Sequence, residues 1–164
     1  MANILTVDGK AVIVNSKALL DPNNDEEIIE SIVDRNISGV FECSDVSYIR
    51  DCCFAYCNQL TTAFFSKCVS VGSSAFYSFT SLTTISFPEC TTIGTLAFRS
   101  CTKLTTISFP ECTSIDSNAF YGCSSLTIIS FPECTSIGAH AFAYCPSLTT
   151  VSFPKCTIIN TYAF

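Results

Sequence analysis

The residues of this sequence with the widest chemical repertoire are its twelve cysteines, which can form disulfides, bind metal ions or act as nucleophiles. Most of them recur at a spacing of 22 residues, so they fall into columns when the sequence is aligned on that period. One column is Cys68, Cys90, Cys112, Cys134 and Cys156, a second is Cys57, Cys101, Cys123 and Cys145, and outside both lie Cys43, Cys52 and Cys53.

The column arrangement leaves two interpretations of the thiols. Neighbouring coils of a stacked sheet lie ~4.8 Å apart, but their parallel side chains hold the Cβ atoms further apart than the ~3.8 Å mean of a disulfide. A reduced thiol behaves as a small apolar group and is often buried. We therefore predict reduced, inward-facing thiols, with bridges between neighbouring coils as the alternative. No zinc site is predicted, because there is no C-x-x-C pair and the only histidine is His140.

A third column contains charged residues that could attract a divalent ion. Two carboxylates ~5 Å apart in water repel each other by less than ~1 kcal/mol, so an exposed row of them is tolerated. We predict an ordinary charge ladder, with ion bridging as the alternative. The column consists of Lys67, Glu89, Glu111, Glu133 and Lys155.

No recognised catalytic arrangement occurs among the remaining reactive groups. The sequence has no H-E-x-x-H motif, no G-x-S-x-G motif and no glycine-rich phosphate loop. Its net charge of −6 comes with scattered lysines and arginines, whereas nucleic-acid binding needs clustered ones. No apolar run reaches the ~20 residues needed to cross a bilayer, and the N-terminus lacks the pattern of a secretory signal. We predict that the protein is not an enzyme, has no cofactor, does not bind nucleic acid and does not insert into a membrane.

The columns arise because the sequence after residue 37 is built from one repeated unit of 22 residues. A period of this length is typical of a solenoid, in which each unit buries its apolar face against its neighbours. We predict a solenoid domain over residues 38–164 with about six coils, of which the last is incomplete. A degenerate copy covers about residues 38–59, and regular copies begin at Leu60, Leu82, Leu104, Leu126 and Leu148.

Positions within a coil are numbered from 1 at the leucine that begins each copy. The letters LTTISF predict a parallel strand over positions 1 to 6, which the proline at position 7 ends. Position 13 is Gly72, Gly94, Gly138, Asp116 or Asn160, residue types that predict a tight left-handed turn. The segment SNAFYGC is too short for a stable α-helix and predicts one helical or 3-10 turn. The predicted fold is therefore an α/β-type solenoid.

The first 37 residues lack the repeat and are predicted to form a cap. Residues 3–14 form two β-rich runs joined by Asp8 and Gly9, which predicts a hairpin. Residues 25–35 carry an apolar stripe after the N-cap residue Asn24, which predicts a short helix. Terminal units of solenoids commonly cover the open end of the stack. A separate recognition module is the alternative.

The repeated pattern LTTISFPECTSIGxxAFxxC closely resembles the BspA-type leucine-rich repeats over about residues 38–164. The resemblance implies a right-handed leucine-rich repeat superhelix. It also implies a surface or secreted protein with a role in adhesion or host binding. The chain differs from most members in having no recognisable signal peptide, so its location is left open.

Function is expected on the outward residues, because the apolar positions face the core. The outward positions of the strands, 2, 3 and 5, are almost all Thr or Ser, and this hydroxyl face is either a solvated sheet or a flat binding surface. A second candidate edge follows the strand and carries types that are enriched in binding sites, although it could also be a permissive surface. The hydroxyl face comprises Thr83, Thr84, Ser86, Thr105, Thr106, Ser108, Thr127, Ser130, Thr149, Thr150 and Ser152, and the edge comprises Tyr77, Arg99, Tyr121 and Tyr144.

These surfaces support two functional hypotheses. The first is a non-enzymatic module that binds a protein or a glycan. The second is a structural element that self-associates through its C-terminal coil, because Phe164 ends the chain where the apolar interior would be exposed.

Overall fold

The computed structural model of the chain describes residues 3–7, 10–14, 39–43 and 47–164. The predicted helix at 25–35, its cap Asn24 and the predicted hairpin turn at Asp8 and Gly9 lie outside the described residues. Within them the chain forms fourteen strands and no helix.

The N-terminal strands are β1 (Asn3–Val7) and β2 (Lys10–Val14), which pair antiparallel with Val7 opposite Lys10. This pairing confirms the two strands of the predicted hairpin. The backbone of β1 lies beside β3 (Gly39–Cys43), the first strand of the solenoid. The role of residues 1–37 as a cap stays a prediction.

Each regular coil contributes two short strands instead of the single strand that was predicted. The first strand usually spans positions 3 to 5, and the second spans positions 11 and 12. The first strands are β5 (Leu60–Phe65), β7 (Thr84–Ser86), β9 (Thr106–Ser108), β11 (Ile128–Ser130) and β13 (Thr150–Ser152). The second strands are β6 (Ser70–Val71), β8 (Thr92–Ile93), β10 (Ser114–Ile115), β12 (Ser136–Ile137) and β14 (Ile158–Ile159), and the degenerate coil adds β4 (Tyr48–Ile49) to them.

The strands stack into parallel sheets that run along the solenoid. The second strands form one continuous sheet in the order β14-β12-β10-β8-β6-β4. The first strands form two separate sheets, β3-β5-β7-β9 and β11-β13. Equivalent positions pair across neighbouring coils, as Thr84 does with Thr106. The predicted parallel solenoid of 22-residue coils is confirmed.

The predicted helical or 3-10 turn is wrong for the described coils. Positions 15 and 19 have a left-handed backbone, with φ of 59° at Asn118 and 72° at Gly122, and residues in this region interrupt a right-handed helix. The amides at positions 15, 17 and 19 point along the solenoid, so that Phe98 N at position 17 donates to Ala119 O of the next coil at 2.7 Å, whereas the amides at positions 16 and 18 donate to carbonyls of their own coil. The segment is therefore a series of turns that are hydrogen-bonded between coils.

The predicted left-handed turn at position 13 is also wrong, because the glycines there have no positive φ. Their role is to let two coils approach closely. A Cβ on Gly94 would lie 2.9 Å from the carbonyl carbon of Gly72, and one on Gly138 would contact the backbone of Asp116 and Ser117. Glycine is favoured at this position because a Cβ atom would be too close to the neighbouring coil.

Two columns of phenylalanine fill the interior. Rings of one column stack on each other, as Phe76 and Phe98 do with centroids 5.0 Å apart, and rings of different columns meet edge to face, as Phe98 and Phe109 do at 5.7 Å. Both geometries are favoured by the aromatic quadrupole. The columns are position 6, with Phe65, Phe87, Phe109, Phe131 and Phe153, and position 17, with Phe54, Phe76, Phe98, Phe120, Phe142 and Phe164.

The cysteine columns lie in the same interior, which confirms their predicted inward orientation. Cys90, Cys101, Cys112 and Cys123 are fully buried free thiols. At position 9, Cys90 donates to the carbonyl of Thr92 at 3.2 Å. Each thiol therefore fills apolar space and also pairs with a carbonyl, which a methyl group in the same place could not do.

Candidate functional site

The hydroxyl face lies on the outer side of the first strands. At position 4, Ile129 is buried between the exposed Ile128 and Ser130, and Ile85 is buried between two half-buried hydroxyl residues. This alternation is that of a strand with one buried side. The coil-to-coil register aligns the outward hydroxyls in rows along the solenoid.

The three rows of the hydroxyl face differ in their hydrogen bonding. At position 2, Thr83 and Thr105 donate to the backbone carbonyl one coil earlier, at 3.0 and 3.1 Å. Thr149 makes the same bond at 3.1 Å. The hydroxyls at positions 3 and 5, such as Thr106 and Ser108, have no side-chain partner within the described residues. Position 2 therefore stabilises the stack, and positions 3 and 5 are available to a ligand.

A break divides the hydroxyl face between β9 and β11. The hydroxyl of Thr127 does not reach the carbonyl of Thr105, although its equivalents in neighbouring coils make this bond. The position-6 rings separate to 5.9 Å between Phe109 and Phe131. Beside the break, Ile128 replaces the threonine of the other regular coils at position 3 and is 60% exposed. The face is thus two shorter platforms with an apolar side chain at their junction.

The four predicted edge residues lie in successive coils on the long connection, which leads from the second strand of one coil to the first strand of the next. The Arg99 guanidinium lies 4.6 Å from the centroid of the Tyr121 ring, and Tyr121 contacts Tyr144 with centroids 4.9 Å apart. Tyr77 contacts Tyr56 at 5.7 Å. We call these five residues the aromatic ladder. Sequence reasoning missed Tyr56, although it occupies position 19 of the degenerate coil, as Tyr144 does in a regular one.

The charged column at position 8 contains an ion pair between Lys155 Nζ and Glu133 Oε2 at 2.6 Å, with both side chains exposed. Pairs of this kind contribute little to stability. In the part of the chain that the structure describes, no group of three or more His, Cys, Asp or Glu side chains is arranged to hold a metal ion.

Within the described residues, His140 is not part of a cluster of catalytic side chains. Its ring stacks on Tyr162 of the next coil, with centroids 5.3 Å apart.

Among the described residues, none lies in a helix long and apolar enough to cross a membrane.

The sequence of residues 37–164 matches the family described as BspA type leucine rich repeat region, with six copies of the repeat. The chain belongs to this family. Its regular coils, with a short first strand and a Cys at position 9, are those of a leucine-rich repeat. No match was found among curated proteins.

Three solved leucine-rich repeat structures resemble this BspA-type chain. A leucine rich cell surface protein of Faecalibacterium prausnitzii A2-165 is 32% identical with a TM-score of 0.70, over 79% of this chain and 39% of that one. A leucine-rich repeat protein of T. pallidum is 28% identical with a TM-score of 0.62, over 80% and 61%. One of Bacteroides ovatus ATCC 8483 is 30% identical with a TM-score of 0.62, over 73% and 37%. The chain therefore spans only part of the length of each of these relatives.

The buried thiols of the BspA-type repeat are chemically protected. Burial raises the pKa of Cys90 to about 12 and that of Cys145 to about 11. Burial also raises the pKa of Cys112 and of Cys123. Because the thiolate is the reactive form, these cysteines stay protonated and unreactive near neutral pH.

Proposed function

We propose that the chain is a non-enzymatic module that binds a protein or a glycan through its hydroxyl face. The observation that carries this proposal is the pair of rows at positions 3 and 5, where Thr106 and Ser108 are exposed and have no side-chain partner within the described residues. Each hydroxyl can both donate and accept a hydrogen bond. Their regular spacing suits a ligand that is itself extended.

The family supports the same role. The F. prausnitzii relative is described as a cell surface protein. We propose that this chain likewise acts as a binding module at a cell surface. Ile128 at the break adds an exposed apolar contact beside the hydroxyls, and apolar groups surrounded by polar ones are typical of interaction surfaces.

An array of glycans and extracellular-matrix proteins tests the hydroxyl face. We expect at least one ligand whose binding is lost in Thr106→Arg, which places a long charged side chain on the face. Thr161→Arg is the matched control, since Thr161 is an exposed threonine outside the face. Equal binding by both variants, or no ligand for the unmodified chain, would contradict the proposal.

Self-association through the C-terminal coil is the second candidate function. Apolar side chains of this coil are exposed, with Val151 at 49%, Ile159 at 60% and Phe164 at 52%. Val151 and Phe164 also line a cleft of ≈ 630 Å³ together with Phe142 and Leu148. A second copy that stacked on this end would bury these groups, as each coil of the solenoid does for its neighbour.

Light scattering across a range of protein concentrations tests self-association. The expected result is a mass that rises above that of the monomer, and a return to monomer in Ile159→Asp. Ile128→Asp is the matched control because Ile128 is also 60% exposed but lies on the hydroxyl face. A strictly monomeric protein at high concentration would rule out this function.

A further inference from the structure

The aromatic ladder borders a strip of small residues. Position 19 is Tyr56 in the first coil and Tyr144 in the fifth, and both side chains are strongly exposed, at 56% and 73%. Between them position 19 holds Ser78, Ser100 and Gly122. Four coil steps of ~4.8 Å separate Tyr56 from Tyr144 by roughly 19 Å, with the small residues between them. The strip is bordered along position 18 by the half-buried Tyr77, Arg99 and Tyr121.

The charges of the solenoid are distributed unevenly along each coil. Between residues 73 and 147, no carboxylate lies at positions 15 to 22 of the long connection; Glu89, Glu111 and Glu133 lie at position 8 on the short connection, and Asp116 lies at position 13, directly after the second strand. The lysine and arginine in the same stretch, Arg99 and Lys103, lie on the long connection with the ladder. The ladder, at positions 18 and 19, therefore carries the positive charge of Arg99 and no carboxylate, on a chain whose net charge is −6. The complementary ligand is an anion.

The backbone of the long connection leaves no edge for a peptide strand. Its amides at positions 15, 17 and 19 donate to the next coil, as Ser100 N does to Tyr121 O at 2.8 Å. Strand addition requires unpaired backbone groups on the acceptor protein. Recognition at this site must therefore come from the side chains, which are aromatic rings, one guanidinium and small hydroxyls.

We propose that the aromatic ladder binds a chain of carboxylated sugars. Tyrosine rings pack against the C–H faces of pyranose rings, and their hydroxyl ends can hydrogen-bond to the sugar. The planar guanidinium of Arg99 binds a carboxylate with two parallel hydrogen bonds. A uronic acid chain offers both features at every residue, with a repeat similar in length to one coil. This proposal rests on the binding role stated above but not on the hydroxyl face.

Calorimetric titration with an oligogalacturonate and with its methyl ester tests the ladder. The two probes have the same rings, and only the first carries free carboxylates. We expect the acid to bind, the ester to bind at least roughly tenfold more weakly, and binding of the acid to weaken as salt rises. Equal binding of the two probes, or no binding of the acid, overturns the proposal.

Three variants separate the contributions of charge and rings. Arg99→Gln is expected to weaken binding of the acid by about tenfold, and Arg99→Lys to restore part of it, because lysine keeps the charge but loses the two-bond geometry. Tyr144→Ala removes an exposed ring without disturbing the core and is expected to weaken both probes alike. Unchanged affinity in Arg99→Gln and Tyr144→Ala overturns the proposal, as does equally tight binding of poly-glutamate.

The same titrations distinguish the ladder from the hydroxyl face. Thr106→Arg is expected to leave oligogalacturonate binding unchanged, since Thr106 lies on the first strand and not on the long connection. If oligogalacturonate binds through Arg99 while no array ligand depends on Thr106, the ladder stands and the hydroxyl face fails. If an array ligand depends on Thr106 and oligogalacturonate does not bind, the reverse holds.

Discussion

The thiol of Cys101 donates a hydrogen bond to the backbone carbonyl of Phe76 in the preceding coil, with Sγ 3.2 Å from the oxygen. Cys123 makes the same contact with Phe98, also at 3.2 Å. Both thiols are fully buried. The position-20 cysteines therefore join each coil to the one before it at a carbonyl that water does not reach.

Cys101→Ala is expected to lower the free energy of unfolding by about 1–3 kcal/mol, because it leaves the buried Phe76 carbonyl without its donor and opens a small void. Chemical denaturation measures this loss. Cys52→Ala is the control, since Cys52 is exposed, and is expected to change stability by less than about 0.5 kcal/mol. Equal stability of the two variants would show that the contact is unimportant.

Stability is expected to fall as pH rises above 9. Thiols of the unfolded chain ionise near the ordinary pKa of 9.0, whereas Cys90 holds its proton to about 12. From pH 9 upward the unfolded state therefore binds fewer protons, which favours unfolding by up to about 1.4 kcal/mol per pH unit for each such thiol. Melting temperatures measured in reductant between pH 7 and 11 test this. A Cys90→Ala variant should show a shallower decline, and a flat profile would contradict the burial of the thiols.

Gly94→Ala is expected to destabilise the solenoid by about 1–3 kcal/mol, because its Cβ has no room against the coil before it. Gly122→Asn is the contrasting variant. Gly122 has φ of 72°, but a Cβ added there would lie no closer than 3.8 Å to its nearest neighbour, and asparagine tolerates this backbone. Denaturant midpoints should therefore fall much further for Gly94→Ala. The opposite order would mean that backbone conformation, not space, selects glycine at position 13.

The amides of Thr127 and Phe109 are expected to exchange with solvent faster than their equivalents in other coils. Thr105 N and Phe87 N donate to neighbouring coils at 3.0 and 2.9 Å, whereas the break between β9 and β11 removes these bonds from Thr127 and Phe109. Amides without a backbone acceptor exchange through small local openings. Hydrogen exchange followed by NMR measures the difference. Equal protection on both sides of the break would show that the first-strand sheet is continuous in solution.

Much of the solenoid follows from the repeat itself. The period placed the cysteines and phenylalanines inside and the threonines outside, because a residue repeated at one position meets the same neighbours in every coil. The second strand was missed because two residues such as Thr92 and Ile93 carry no periodicity of their own. The helical turn was wrongly predicted because the left-handed backbone at Leu96 and His140, with φ of 60° and 56°, has no signal in residue type.

The sequence by itself determined the family, the coil length and which columns of side chains face inward, since these depend on periodic burial of apolar groups. The tertiary structure decided how outward residues share their hydrogen bonds, so that Thr105 stabilises the stack while Thr106 stays available. It also decided which distant side chains meet. Tyr56 and Tyr77 are 21 positions apart in sequence but in contact, because stacking of coils brings residues from successive repeats within reach of each other.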